Sequence, residues 1–240
     1  LGYAAAAFVG PDRILAAPGG ANSAAPLLAF ELGGSIFMAL ISAVAFATVL
    51  AVVAGLAITA SASIAHDVYD AVLRDGQATE EEQVRVSRAT VVVLGIVAIM
   101  WILEGIDVVL GNSLDNLGIH AHTSAGLWQI FLAPWLHYGW AHLTSNSVPL
   151  FVLGWLVLVR SRRDWAISAV VIIICSGLAA WAFSPPGSIT LGASGVVFGW
   201  LAFLLVKGLF THKLSDIVIA VMVFLVYGSV LWGVLPGTSG

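Results

Sequence analysis

Charge is what this sequence has least of. Of its 240 residues, 9% are Asp, Glu, Lys or Arg, where a soluble domain carries roughly 25%. With 60% hydrophobic residues and a mean hydropathy of +1.03, it cannot cover itself with polar surface. That excludes a water-soluble domain and implies an integral membrane protein. No basic block exists and the net charge is −4, which excludes nucleic acid as a partner. The single cysteine, Cys175, excludes an internal disulfide and reads as a small buried hydrophobe. No basic start precedes an apolar core, so no signal peptide is expected. Leu1 is not an initiator, so the sequence reads as a fragment or a processed form.

What is abundant is apolar run. Residues 1–35 are Ala/Gly/Pro-rich and predict an extramembrane loop with one short helix at 25–32. Six segments of about 20 residues come next, each long enough to cross a bilayer: 36–63, 88–111, 141–159, 165–183, 193–210 and 216–235. Backbone groups must be satisfied internally in lipid, so these are helices. Arg74, Arg85, Arg88, Arg160, Arg162, Arg163, Lys207 and Lys213 all fall on alternate connections, and Arg13 alone on the others. The positive-inside rule makes those alternate connections cytoplasmic and places both termini outside. Thr79 followed by Glu80, Glu81 and Glu82 predicts a capped cytoplasmic helix, with Glu81 and Arg85 spaced i,i+4. The stretch 126–138, with Trp128 and Trp135, predicts short helices lying in the outer interface.

Two groups of residues carry a likeness. His137, His142 and Asn146 precede Gly-Ala-Ser-Gly at 192–195 and Leu-Trp-Gly-Val-Leu-Pro at 231–236. From about residue 100 to 240 the sequence resembles the rhomboid intramembrane serine proteases. Residues 25–99, with Ala-His-Asp-Val-Tyr at 65–69, are similar to sodium/solute symporters of the acetate-permease kind. The expected division is therefore a symporter-like part at 1–99 and a rhomboid-like protease part at 100–240. The fold expected is an all-α, six-span bundle of rhomboid type lacking its last helix, in a bacterial plasma membrane.

The rhomboid resemblance implies the chemistry. Ser194 is the nucleophile, and its helix start supplies unpaired N–H groups. His142 and Asn146, four apart on one helix face, bind the oxyanion together with the Ser194 N–H. His137, Gly192 and Gly195 are structural near the site. Gly195 and Gly199 also form a Gly-x-x-x-Gly pair, which reads equally as helix packing. The family's general base is a histidine on a helix after the Leu-Pro segment, here Leu235-Pro236. The sequence given ends at Gly240, so the base is unassigned and impaired activity is expected. Substrates would be transmembrane helices that unwind locally within the bilayer. No cofactor and no metal is expected: His120 and His122 have a His-x-His spacing but no supporting Cys or clustered acid.

The alternatives are a catalytically inactive rhomboid-like protein that binds transmembrane helices, and a fragment of a sodium-coupled carboxylate symporter. Glu104 and Asp107 read as helix-end acids reaching the interface. Thr59, Ser61 and Ser63 read as helix packing. His66-Asp67 reads as the end of a span.

Overall fold

A computed structural model describes residues 1–211, together with residues 218, 221 and 225. The chain forms two units, Leu1–Ala60 and Ser61–Gly240. Apart from residues 218, 221 and 225, the predicted sixth span lies outside the described residues, as do the Leu-Pro segment at 231–236, the tail at 236–240 and His212.

The first unit is more helical than predicted. It holds α1 (Gly2–Phe8), α2 (Pro11–Ala16), a 3-10 turn (Gly20–Ser23) and most of α3 (Ala24–Ser63). Alanines at 4–7 favour α1, and Pro11 occupies the first turn of α2, where its missing N–H costs nothing. Ala5, Ile14 and Leu28 close a small core over these helices. Helical geometry lapses at Gly33 and Gly34, the latter with φ +67°. This break separates the predicted short helix from the first predicted span. Beyond it α3 is apolar on all sides, as a lipid-surrounded helix is. The helix does not stop at residue 63, as predicted, but continues through a π-helical stretch, Ile64–Leu73.

The second unit contains α4 (Glu80–Val109), α5 (Ser124–Gln129), α6 (Gly139–Arg160), α7 (Arg162–Phe183) and α8 (Ser194–Thr211). Thr79 and Glu82 form a reciprocal capping box at the start of α4. The ion pair there is not the one the spacing suggested. Glu82 pairs with Arg74 at 3.1 Å, while Glu81 and Arg85 make no ion pair among the described residues.

Helix α6 lies against α4, α7 and α8. Met100, Leu143, Leu153, Val196, Trp200 and Leu201 fill the space between them. Three indoles tie the bundle together. Trp155 donates to Thr90 at 2.9 Å, Trp101 to Ser147 at 3.0 Å and Trp200 to Ser168 at 3.1 Å. Each bond joins two helices and satisfies an N–H that would be costly in hydrocarbon. Glycines let the helices approach. A Cβ on Gly154 would lie 2.8 Å from the Trp200 ring, and one on Gly199 would lie 2.1 Å from Ile172. Cys175 is exposed on α7 rather than buried.

Among the described residues, four helical stretches are long and apolar enough to cross a membrane: Gly20–Leu73, Glu80–Val109, Gly139–Arg160 and Arg162–Phe183. Ser194–Gly208 is a shorter apolar helix. The chain is a helical, multi-pass membrane protein, with one small sheet among the described residues. Strands β1 (Ile119–His120) and β2 (Ile189–Thr190) pair antiparallel, joining the connection after α4 to the one before α8.

Candidate active site

The β1–β2 pairing fixes the path of the chain into α8. Two residues after β2 the chain turns at Gly192, whose φ of +118° lies where only glycine is comfortable. The Gly192 N–H donates to the Ala133 carbonyl at 2.8 Å, fixing the turn to the connection between α5 and α6. The Ala193 N–H donates to Nε2 of His137 at 3.3 Å. Ser194 then opens α8, with the Val196 and Val197 N–H groups bonded to the Ala193 carbonyl. Among the described residues, the Ser194 and Gly195 N–H groups and the Ser194 hydroxyl have no hydrogen-bond partner. They are the free donors that a helix start offers.

His142 stands against this turn. Its Nδ1 accepts from the Tyr138 N–H at 3.3 Å. A neutral ring accepting at Nδ1 carries its proton on Nε2, a tautomer assigned from the hydrogen bonding. That nitrogen lies 2.9 Å from where a Cβ on Gly192 would sit, and Cε1 lies 2.6 Å from it. His142 therefore presents a donor, not a base, to the backbone ahead of Ser194. Asn146, one turn on, is buried and donates to the His142 carbonyl at 2.9 Å. That bond uses one of its two amide hydrogens.

His137 is 2% exposed, and its ring lies edge-on to His142 with centroids 5.1 Å apart. Nδ1 has no hydrogen-bond partner among the described residues. Burial, then the nearby His142, lowers its pKa to about 4, opposed weakly by the Trp135 backbone. Because the folded value lies below the ordinary 6.5, His137 favours the folded state fully above pH 6.5. That contribution is lost as pH falls from 6.5 towards 4, and the difference corresponds to roughly 3 kcal/mol. A His137→Gln variant should lose this part of the acid sensitivity, which thermal unfolding in detergent at pH 7 and pH 4.5 would measure.

Ser194 also lines a cavity of about 260 Å³ on the α7 side, with Ser176, Gly177, Ala180 and Phe198. His137, His142 and Asn146 do not line it. The structure thus gathers Gly192, His137 and His142 on one side of the turn, and Ser194 meets them through the Gly192–Ala193 backbone. A Cβ on Gly195 would lie 2.8 Å from the Ser176 hydroxyl of α7, so α7 and α8 approach closely there.

The remaining candidates lie in the following surroundings. Asp107 is buried and accepts from the Leu114 N–H at 2.7 Å, and Glu104 is buried beside it. Both are covered by protein rather than exposed at the helix end, Asp107 by the loop after α4. The Thr59 hydroxyl turns back to the Gly55 carbonyl. His120 lies beside Gln129 and His122 beside the Ser184 carbonyl. Among the described residues no group of three metal-ligating side chains forms.

Gln129 follows Trp128 where many rhomboids carry the arginine of a Trp-Arg pair, a departure that put the anchoring of the loop in doubt, yet it anchors the loop. It is buried, accepts from the His120 N–H at 3.2 Å and donates to the Asn116 carbonyl at 3.4 Å. Tyr138 likewise holds β2 through its hydroxyl, which donates to the Ile189 carbonyl at 3.1 Å. Tyr138 belongs to no motif that would have marked it.

Two family models match the chain. The sodium:solute symporter family covers residues 1–133, and the rhomboid domain covers residues 124–239. A monocarboxylic acid transporter of Corynebacterium glutamicum is 79% identical over 100 residues, 42% of this chain and 18% of that protein. An uncharacterized symporter of Bacillus subtilis is 50% identical over 100 residues, 42% of this chain and 20% of that protein. An uncharacterized protein of Mycobacterium tuberculosis is 42% identical over 149 residues, 60% of this chain and 62% of that protein. The chain thus spans less than two thirds of the length of each of these relatives. No solved structure matches it.

Proposed function

We propose that this chain, which belongs to the sodium:solute symporter family through residues 1–133 and carries a rhomboid domain over residues 124–239, works as a rhomboid-type intramembrane serine protease. In this reading Ser194 attacks a peptide carbonyl of a transmembrane substrate near the outer leaflet. The Ser194 N–H, the His142 Nε2–H and the second amide hydrogen of Asn146 hold the oxyanion. The observation that carries the reading is the His142 imidazole pressed against the Gly192 turn with Nδ1 already occupied by Tyr138. A ring held in that way serves as a donor where negative charge would develop.

The same observation removes His142 as the proton acceptor, and His137 is buried and bonded to the Ala193 N–H. The general base therefore remains to be supplied from outside the described residues. The topology we propose has six spans with both termini outside, in a bacterial plasma membrane. We place the join of the symporter-like and rhomboid-like parts at 99/100, within α4, and the unbroken helix Glu80–Val109 is consistent with that reading.

The test is labelling of the detergent-solubilised chain by a fluorophosphonate probe, with Ser194→Ala as control. Weak labelling that disappears in the variant is the expected result. No labelling of the folded chain would favour a second reading, a protein that binds transmembrane helices without cutting them. The Ser194 hydroxyl, unpartnered among the described residues, is the observation on that side. Sodium-dependent uptake of labelled acetate would point instead to transport, the activity named for the Corynebacterium relative.

A further inference from the structure

Away from Ser194, a cavity of about 720 Å³ opens at the ends of α4, α6 and α7 that carry arginines. Arg85, Arg88 and Arg162 line it, and none of the three makes an ion pair or hydrogen bond among the described residues. Arg85 and Arg88 are three apart and share one side of α4. One turn further into the apolar part of the same helix, Val91 and Val92 line the cavity, 42% and 47% exposed. Leu158 closes the floor from α6. Glu81 also lines the opening, one turn beyond Arg85 and away from the valines.

We infer that this groove binds one anionic phospholipid, its phosphodiester held by Arg85, Arg88 and Arg162 and an acyl chain lying along Val91 and Val92. Two features argue for the occupant. Three guanidiniums that make no close ion pair, Arg85 alone feeling the more distant Glu82 carboxylate, call for an anion, and guanidiniums match phosphate oxygens through paired N–H donors. A soluble anion would leave the apolar half of the cavity empty, whereas a phospholipid has its charge and its hydrocarbon in the same order along the helix axis. Glu81 faces the outer end of the headgroup, not the phosphate. A zwitterionic lipid carries the same phosphate, but its choline adds a cation beside three arginines.

The experiment uses the full chain, delipidated in detergent and titrated with phosphatidylglycerol or phosphatidylcholine, with retained lipid counted by native mass spectrometry. One phosphatidylglycerol should be retained in clear preference to phosphatidylcholine. Each basic residue near an anionic headgroup contributes roughly fivefold in affinity. Arg88→Gln should therefore weaken retention about fivefold, and the triple Arg85→Gln/Arg88→Gln/Arg162→Gln variant roughly a hundredfold. If the triple variant does not fold, the unmodified chain still decides, because retention must fall as salt screens the arginines. Glycerol phosphate, which has the headgroup without the chains, should not displace the lipid at equal concentration. Equal retention of the two lipids, salt-independent retention, a folded triple variant that keeps its lipid, or displacement by glycerol phosphate would each overturn the inference.

Discussion

Gly192→Ala should destabilise the second unit by about 2–4 kcal/mol and abolish any reactivity of Ser194 towards a fluorophosphonate. Two costs combine. The first is conformational: φ is +118°, outside the range an L side chain adopts without strain. The second is steric: the new Cβ would lie 2.6 Å from Cε1 and 2.9 Å from Nε2 of His142. That ring cannot simply swing aside. Its Nδ1 holds the Tyr138 N–H, and it stacks on Tyr138 with centroids 6.5 Å apart. If the turn moves instead, the Gly192-to-Ala133 hydrogen bond and the Ala193-to-His137 bond are lost together. Thermal unfolding of the detergent-solubilised variant measures the stability loss, and probe labelling measures the site. An alanine variant as stable as the parent would mean that His142 is not fixed against the turn.

Gly126→Ala should cost about 3 kcal/mol or more, although the residue lies in a short helix with ordinary backbone geometry. Its Cβ would fall 2.1 Å from the His120 carbonyl oxygen and 2.8 Å from Trp181 Cδ1. A side chain can change rotamer, but the carbonyl belongs to β1, paired through its own residue with Ile189. The Trp181 indole is held as well, donating to the Thr123 carbonyl at 2.8 Å. To admit one methyl group, α5 must separate from β1 and break the Gln129-to-His120 bond between them. Because β1 positions β2, and β2 leads directly into the Gly192 turn, the damage should reach the site. Hydrogen exchange at 119–120 and 189–190 should rise in this variant, while amides of α6 stay protected. Unchanged exchange in the strands would show that the loop gives way elsewhere.

The helices were legible because lipid leaves the chain few options. A run of about 20 apolar residues must be helical there, and the run alone places the core of α4, α6, α7 and α8 to within a few residues at most ends. The exception is α4, which begins eight residues before its predicted span because the capping box extends it into the polar connection. The motif residues His142, Asn146, Gly192 and Ser194 were picked out by the rhomboid resemblance, and the cost of polar groups inside a span supported only His142 and Asn146.

The sequence by itself determined the solvent this protein folds in, the helical class, and which polar residues have a claim to function. Those properties arise from composition and local spacing, which act on each segment separately. Tertiary structure alone decided the surroundings of these residues. It turned His142 into a donor by giving its Nδ1 to Tyr138, and buried His137 so that it remains neutral. It made Gln129 the anchor of the loop, and left Arg85 without the partner its i,i+4 spacing offered while Arg74 took Glu82. Each of these outcomes depends on groups distant in sequence or on competition between neighbours. Spacing along one helix cannot say which partner arrives first or which nitrogen of a ring is already taken.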